Sequence, residues 1–256
     1  MNEEKFKRII ELCGSQEDVK KEVYKNHDNN LWWPLDVEDA RKRLIIAGLS
    51  TRVSYNMINT YSKVIEQLNG YSYDEIKNMS KDNIIKIIKP LGLSNSRYNY
   101  INSMIELIEK CGDRLINASD DEAVEMIAKN VKGASYKVAQ CCVLYMKGYY
   151  CGIIPIDSGM KDVELPCMGF EKHKGKNENQ DLSKQIEKMV NENDFKDIVK
   201  KCGYENLNIE NQEHPTWLIH LILIYYKRLY CNKHLFKECI LSKENLANEK
   251  CNRDSK

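Results

Sequence analysis

Lys137 and Asp157 are the two residues whose types and spacing could do chemistry together. An amine can add to an electrophilic carbon, and a carboxylate can support a developing cation and move protons. A pair of this kind that met in space could open a bond at a glycosidic carbon. Lys137 follows the small-residue turn Gly133-Ala134-Ser135 and the aromatic Tyr136, at the start of a helical pattern over 136–147. The positive end of a helix dipole disfavours an ammonium there and favours the neutral, nucleophilic amine. The plain alternative for Lys137 is a solvated surface lysine. Asp157 could equally be the N-cap of a helix beginning near Met160, a role compatible with chemistry.

Helical elements must position these groups. Residues 123–130 read as a helix, behind a capping-box-like start at Ser119 with Glu122 three positions later. A turn at Gly133 and a second helix complete a hairpin whose exposed amides and helix N-terminus could hold a phosphate. Upstream, residues 4–26 read as one amphipathic helix, and 37–48 and 53–68 as two more, with Ser50 or Thr51 as N-cap of the latter. Short helices follow at 73–79 and 81–88, the second capped by Ser80. Pro90-Leu91-Gly92-Leu93 ends that run, and the next helix carries the stripe Tyr98, Ile101, Ile105, Ile108. Trp32-Trp33-Pro34 is a packed aromatic segment. Residues 173–179 read as a loop, and 182–199 and 215–229 as long helices.

Alternation of the β kind is scarce, so the fold class is all-α. The charge balance, 39 Lys+Arg against 38 Asp+Glu, lacks the basic excess of many nucleic-acid binders, so any such surface must be local. Ten cysteines without an apolar leader point to reduced thiols in a cytoplasmic, bacterial-type protein. The most apolar run, 217–226, is too short to span a bilayer, so no membrane association is expected. Cys141 and Cys142 are neighbours in a helix and cannot share a face, which suits core thiols rather than metal ligands.

Taken together, the Gly133 turn, Lys137 and the segment Pro155-Ile156-Asp157-Ser158-Gly159 resemble the helix-hairpin-helix DNA glycosylase superfamily (HhH-GPD), of the endonuclease III type. Two further stretches are similar to that family: 44–56, around Leu49 and Arg52, and 91–97, ending at Arg97. The similarity covers about residues 40–170. Ser135 stands where the family has its second hairpin glycine, Lys132 where it often has proline, and Gly159 and Lys161–Asp162 where it has histidine and arginine. Cys231, Cys239 and Cys251 fall in the region of the family's iron–sulfur cysteines but lack their tight central pair.

The resemblance implies a two-lobed helical fold. Residues 1–43 would pack with a C-terminal lobe at 158–256, around a central lobe at 44–157 that carries the hairpin. It implies a DNA glycosylase with possible AP-lyase activity in base excision repair, in which a damaged or modified base is flipped out of the duplex. Lys137 would be the nucleophile and Asp157 its electrostatic and proton-transfer partner. Leu49 would be the wedge, Arg52 and Arg97 phosphate contacts, Gly133 and Ser135 the hairpin contacts, and Tyr136 a base-stacking residue. No cofactor, no metal and no obligatory protein partner is implied. Two alternatives stand beside it: a non-catalytic nucleic-acid-binding or interaction module, and a glycosidase for a special base or a non-duplex substrate.

Overall fold

In a computed structural model the chain is all-α, with no strand among the described residues. Those residues are 2–28, 30–149, 151–157, 160, 167–170, 178–207 and 215–247. The helices gather into two units. A middle unit comprises Asn29–Cys151, and a terminal unit comprises Met1–Asp28 with Gly152–Lys256.

The terminal unit is organised by the sequence Thr216–Tyr226, a helix buried on every side. A helix apolar all round has no solvent face and must be surrounded. Glu3–Gly14 (α1) and Glu17–Asn26 (α2) pack against it. The single helix expected over 4–26 is therefore two. At the break, Gly14 lies so close to Cys202 and Ile222 that a Cβ there would stand 3.2 Å from each. Phe6, Ile9, Ile10 and Cys13 of α1, and Val19 and Val23 of α2, are thereby all buried. The helix expected over 182–199 also divides, into Glu178–Asn191 and Lys196–Lys201.

Five longer helices frame the middle unit: Ala40–Leu49 (α3), Ile58–Asn69 (α4), Ser94–Cys111, Asp120–Asn130 and Tyr136–Met146. The shorter Tyr73–Asn78 and Lys81–Ile88 begin at Ser72 and Ser80, whose side chains accept from Glu75 and Asn83 amides. The helix expected from 53 begins at Ile58 behind a 3-10 turn at Tyr55–Met57, and Ser50 closes α3 rather than opening the next helix. Ser119 caps Asp120–Asn130 as expected, but the Glu122 carboxylate takes Arg114 at 2.8 Å; the reciprocal capping box sits at Ser72 and Glu75.

Numbered in chain order, Tyr73–Asn78 and Lys81–Ile88 are α5 and α6, and Ser94–Cys111 is α7. Asp113–Asn117 is α8, Asp120–Asn130 α9 and Tyr136–Met146 α10. In the terminal unit Glu178–Asn191 is α11, Lys196–Lys201 α12, Thr216–Tyr226 α13 and Ile240–Lys243 α14. α10 packs on α3 and α9, and α7 packs on α3, α6 and α9.

The aromatic segment belongs to the middle unit. Tyr145 donates to the Pro34 carbonyl at 2.7 Å, Tyr149 donates to that of Trp33, and the Arg43 guanidinium donates to the carbonyls of Leu35 and Val37. These bonds hold 33–37 on the 40–149 helices, so the break in the chain falls at 28/29 instead of the expected 43/44. The second break, at 151/152, likewise precedes the expected one at 157/158 and leaves Asp157 in the terminal unit.

Candidate functional site

The helix-turn-helix read from the sequence is present. α9 ends at Asn130, the Val131 amide still donates to Ile127, and the Ala134 amide closes a turn onto the Val131 carbonyl. Gly133 takes a φ of +81°, a conformation in which a side chain is strained. Ser135 then caps α10, its hydroxyl accepting from the Val138 amide at 3.4 Å. Ser135 thus has a structural duty, while Gly133 and Ser135 are both exposed and Tyr136 and Lys137 are half-buried. Lys137 is the second residue of α10. The hairpin is anchored from below by Ser103 of α7, whose hydroxyl accepts from the Lys132 amide at 2.9 Å.

The two upstream stretches are joined by one side chain. Arg97 is buried, and its guanidinium donates to the carbonyls of Leu49, Thr51, Leu91 and Gly92. Among the described residues it meets carbonyl dipoles and no carboxylate. Burial pulls its ionisation below the ordinary arginine value. The expectation of a phosphate contact at Arg97 is therefore corrected: the fork that would grip a phosphate is spent stapling the 49–51 loop to the 91–92 loop. The expectation for Leu49 is corrected as well. Its side chain is fully buried at the end of α3 and cannot act as a wedge from there.

What the stapled loops expose is different. Arg52 is exposed at φ +57°, and Leu93 is 52% exposed at φ +51°. A left-handed residue without a glycine costs roughly 1–2 kcal/mol, and such strain gathers at functional positions. Leu93, immediately before α7, was missed from the sequence. Its only signal is the preceding Gly92, and a leucine after a glycine is as readily core as surface.

Asp157 is half-buried in the terminal unit, at the end of a segment, 153–157, that is neither helix nor strand. The Met160 amide donates to its carbonyl at 2.9 Å. The helix for which Asp157 might be an N-cap falls outside the described residues. So Leu49, Arg52, Arg97, Gly133, Ser135, Tyr136 and Lys137 share the middle unit, and Asp157 is carried by the other.

No family model matches the chain, and no curated protein matches it in sequence.

Most of the described thiols are buried, with Cys111 and Cys231 half-buried. Cys141 and Cys142 are buried, and the Cys142 sulfur lies 3.1 Å from the Tyr100 hydroxyl. Burial pushes the Cys142 thiol up to about 12. Cys239 is buried as well, and Cys251 lies outside the described residues. No group of three or more His, Cys, Asp or Glu side chains among the described residues could hold a metal ion, and no helix there is long and apolar enough to cross a membrane.

Proposed function

We propose that this chain is a helix-hairpin-helix DNA glycosylase, with a two-lobed fold of that type and DNA as its partner. The observation that carries the reading is the hairpin itself: α9, a turn through a left-handed Gly133, and a Ser135-capped α10 with Lys137 in its first turn. A phosphate approaching the turn would meet a helix N-terminus, which places the backbone of a nucleotide strand near the amine. In this reading Lys137 attacks the sugar carbon: the carbon–nitrogen bond to the amine forms as the bond to the base breaks. The Schiff base that follows can proceed to strand cleavage by elimination. Asp157 supports the cationic sugar and the proton transfers. The wedge is assigned to Leu93, and the phosphate contact to Arg52. The test is borohydride trapping on an abasic duplex, with a covalent adduct expected from the native chain and none from Lys137→Ala.

A second reading has its own support. With a formal charge of +1, and with Leu49 and Arg97 turned inward, the grip on DNA is weaker than the sequence resemblance implies. A module that binds without chemistry fits these facts. It would bind DNA with no product and no adduct.

A further inference from the structure

The segment that leads to Asp157 poses a backbone problem that α11 solves. Residues 153–156 are buried but lie in neither helix nor sheet, so their peptide groups need partners from elsewhere. α11 lays three polar side chains along the segment at four-residue spacing. Asn191 donates to the Gly152 carbonyl at 3.1 Å. Glu187 Oε1 accepts from the Ile154 amide at 3.1 Å. Ser183 Oγ lies 2.6 Å from the Ile154 carbonyl and 2.9 Å from the same Glu187 oxygen. Both backbone groups of Ile154 are thus held by side chains of one helix.

Proton counting sharpens the picture. Three close contacts, Ile154 N to Glu187, Ser183 to Ile154 O and Ser183 to Glu187, involve only two protons from the amide and the hydroxyl. A proton on Glu187 itself satisfies all three. Burial pushes the Glu187 carboxyl up, against the Lys184 ammonium 3.0 Å from its other oxygen. The link onward is stiff. Pro155 has a fixed φ and restricts Ile154 before it, so an error at Ile154 is carried along the three residues to Asp157.

We propose that Ser183 and Glu187 are positioning residues for Asp157, fixing through Ile154 and Pro155 where its carboxylate stands in the reaction. This inference rests on the reading of Asp157 as the carboxylate of a glycosylase. The clasp sets direction and register, which an apolar contact at the same place would leave loose.

The test is the single-turnover rate of borohydride trapping at saturating abasic duplex, beside the Kd for the same duplex and hydrogen exchange at the Ile154 amide. Glu187→Ala is expected to expose that amide and slow trapping by at least about tenfold, with Kd within about twofold, since a misplacement of ~1 Å is enough for such a loss. Glu187→Gln, whose carbonyl still accepts from Ile154, is expected to recover most of the rate. In an Asp157→Asn background Glu187→Ala should slow trapping no further. Ser183→Ala provides the same test should Glu187→Ala fail to fold. Folded Glu187→Ala and Ser183→Ala that trap at the native rate would overturn the proposal. So would a further loss in the Asp157→Asn background, which would mark a general structural effect. A native chain that binds the duplex but forms no adduct would instead overturn the glycosylase reading, and this role with it.

Discussion

Gly48→Ala is expected to destabilise the chain through one ring. A Cβ built at Gly48 would stand 2.0 Å from Tyr100 Cζ and 2.4 Å from both Cε atoms. Ordinary contact begins near 3.4 Å, so the ring must retreat by more than 1 Å. It has little room. Tyr100 is buried, its hydroxyl donates to the Leu44 carbonyl at 2.6 Å, and the fully buried Cys142 lies behind it. Overpacking of this kind costs about 1–3 kcal/mol and sometimes more, and a displaced hydroxyl forfeits about 1 kcal/mol. Alanine in a helix returns up to about 1 kcal/mol over glycine. The net expectation is a loss of about 1–3 kcal/mol, a shift in melting temperature on the order of 3–10 °C for a chain this long. Urea unfolding of the single variant, Tyr100→Leu and the double variant measures it. Leucine lacks the outer ring atoms, so in that background Gly48→Ala should be neutral or slightly stabilising. A single variant as stable as the native chain would refute the reasoning, and so would a loss that persists in the double variant, where the side chain at position 100 is shorter.

Other expectations follow from the site. Arg97→Lys keeps the charge but cannot fork to four carbonyls, so it should cost about 1–3 kcal/mol by denaturant unfolding; a surface phosphate contact would tolerate the change within about 0.5 kcal/mol. Arg52→Ala should lower the salt dependence of DNA binding by about 0.9 in log–log slope, and an unchanged slope would remove Arg52 from the interface. Leu93→Asn, which tolerates the left-handed backbone, should leave stability nearly unchanged while cutting adduct yield on duplex DNA; full yield would exclude it as the wedge. The Glu187 carboxyl is raised in the folded chain from its ordinary value of 4.5. Its contribution to stability is therefore complete below that value and lost as pH rises through the folded value. Thermal melts from about pH 4 to about 7.5 should show Glu187→Gln gaining on the native chain as pH rises, and the opposite trend would show the carboxyl to be stabilised in its ionised form.

The helices with strong local signals were legible in the sequence. Ser80 and Ser119 caps, the Gly133 turn and the largely apolar 217–226 run each state their structure within a few residues. The face of α7 was not. Of the stripe Tyr98, Ile101, Ile105, Ile108 only Ile101 and Ile108 are buried, whereas Tyr100, Met104 and Leu107 are buried too, with Arg97 and Ser103 among them. A helix packed on several neighbours has no single stripe, and a buried arginine looks like a surface one until its four carbonyls arrive from two other loops. The same blindness hid one face of α11, on which Ser183, Glu187 and Asn191 carry no local sign of burial or of a partner. Their partner is a non-helical segment some thirty residues away in sequence, which no local pattern announces. Leu49 and Arg97 were misplaced for that reason: exposure is a property of packing, and spacing alone does not supply it.

The central claim is that Lys137 is a nucleophile toward a DNA sugar. Purified chain and Lys137→Ala would each be incubated with an abasic-site duplex under borohydride, with binding to the same duplex measured alongside. The account predicts a covalent protein–DNA adduct from the native chain that is absent from the folded, DNA-binding Lys137→Ala variant. Native chain that binds the duplex and forms no adduct, or an adduct that survives loss of Lys137, would contradict it.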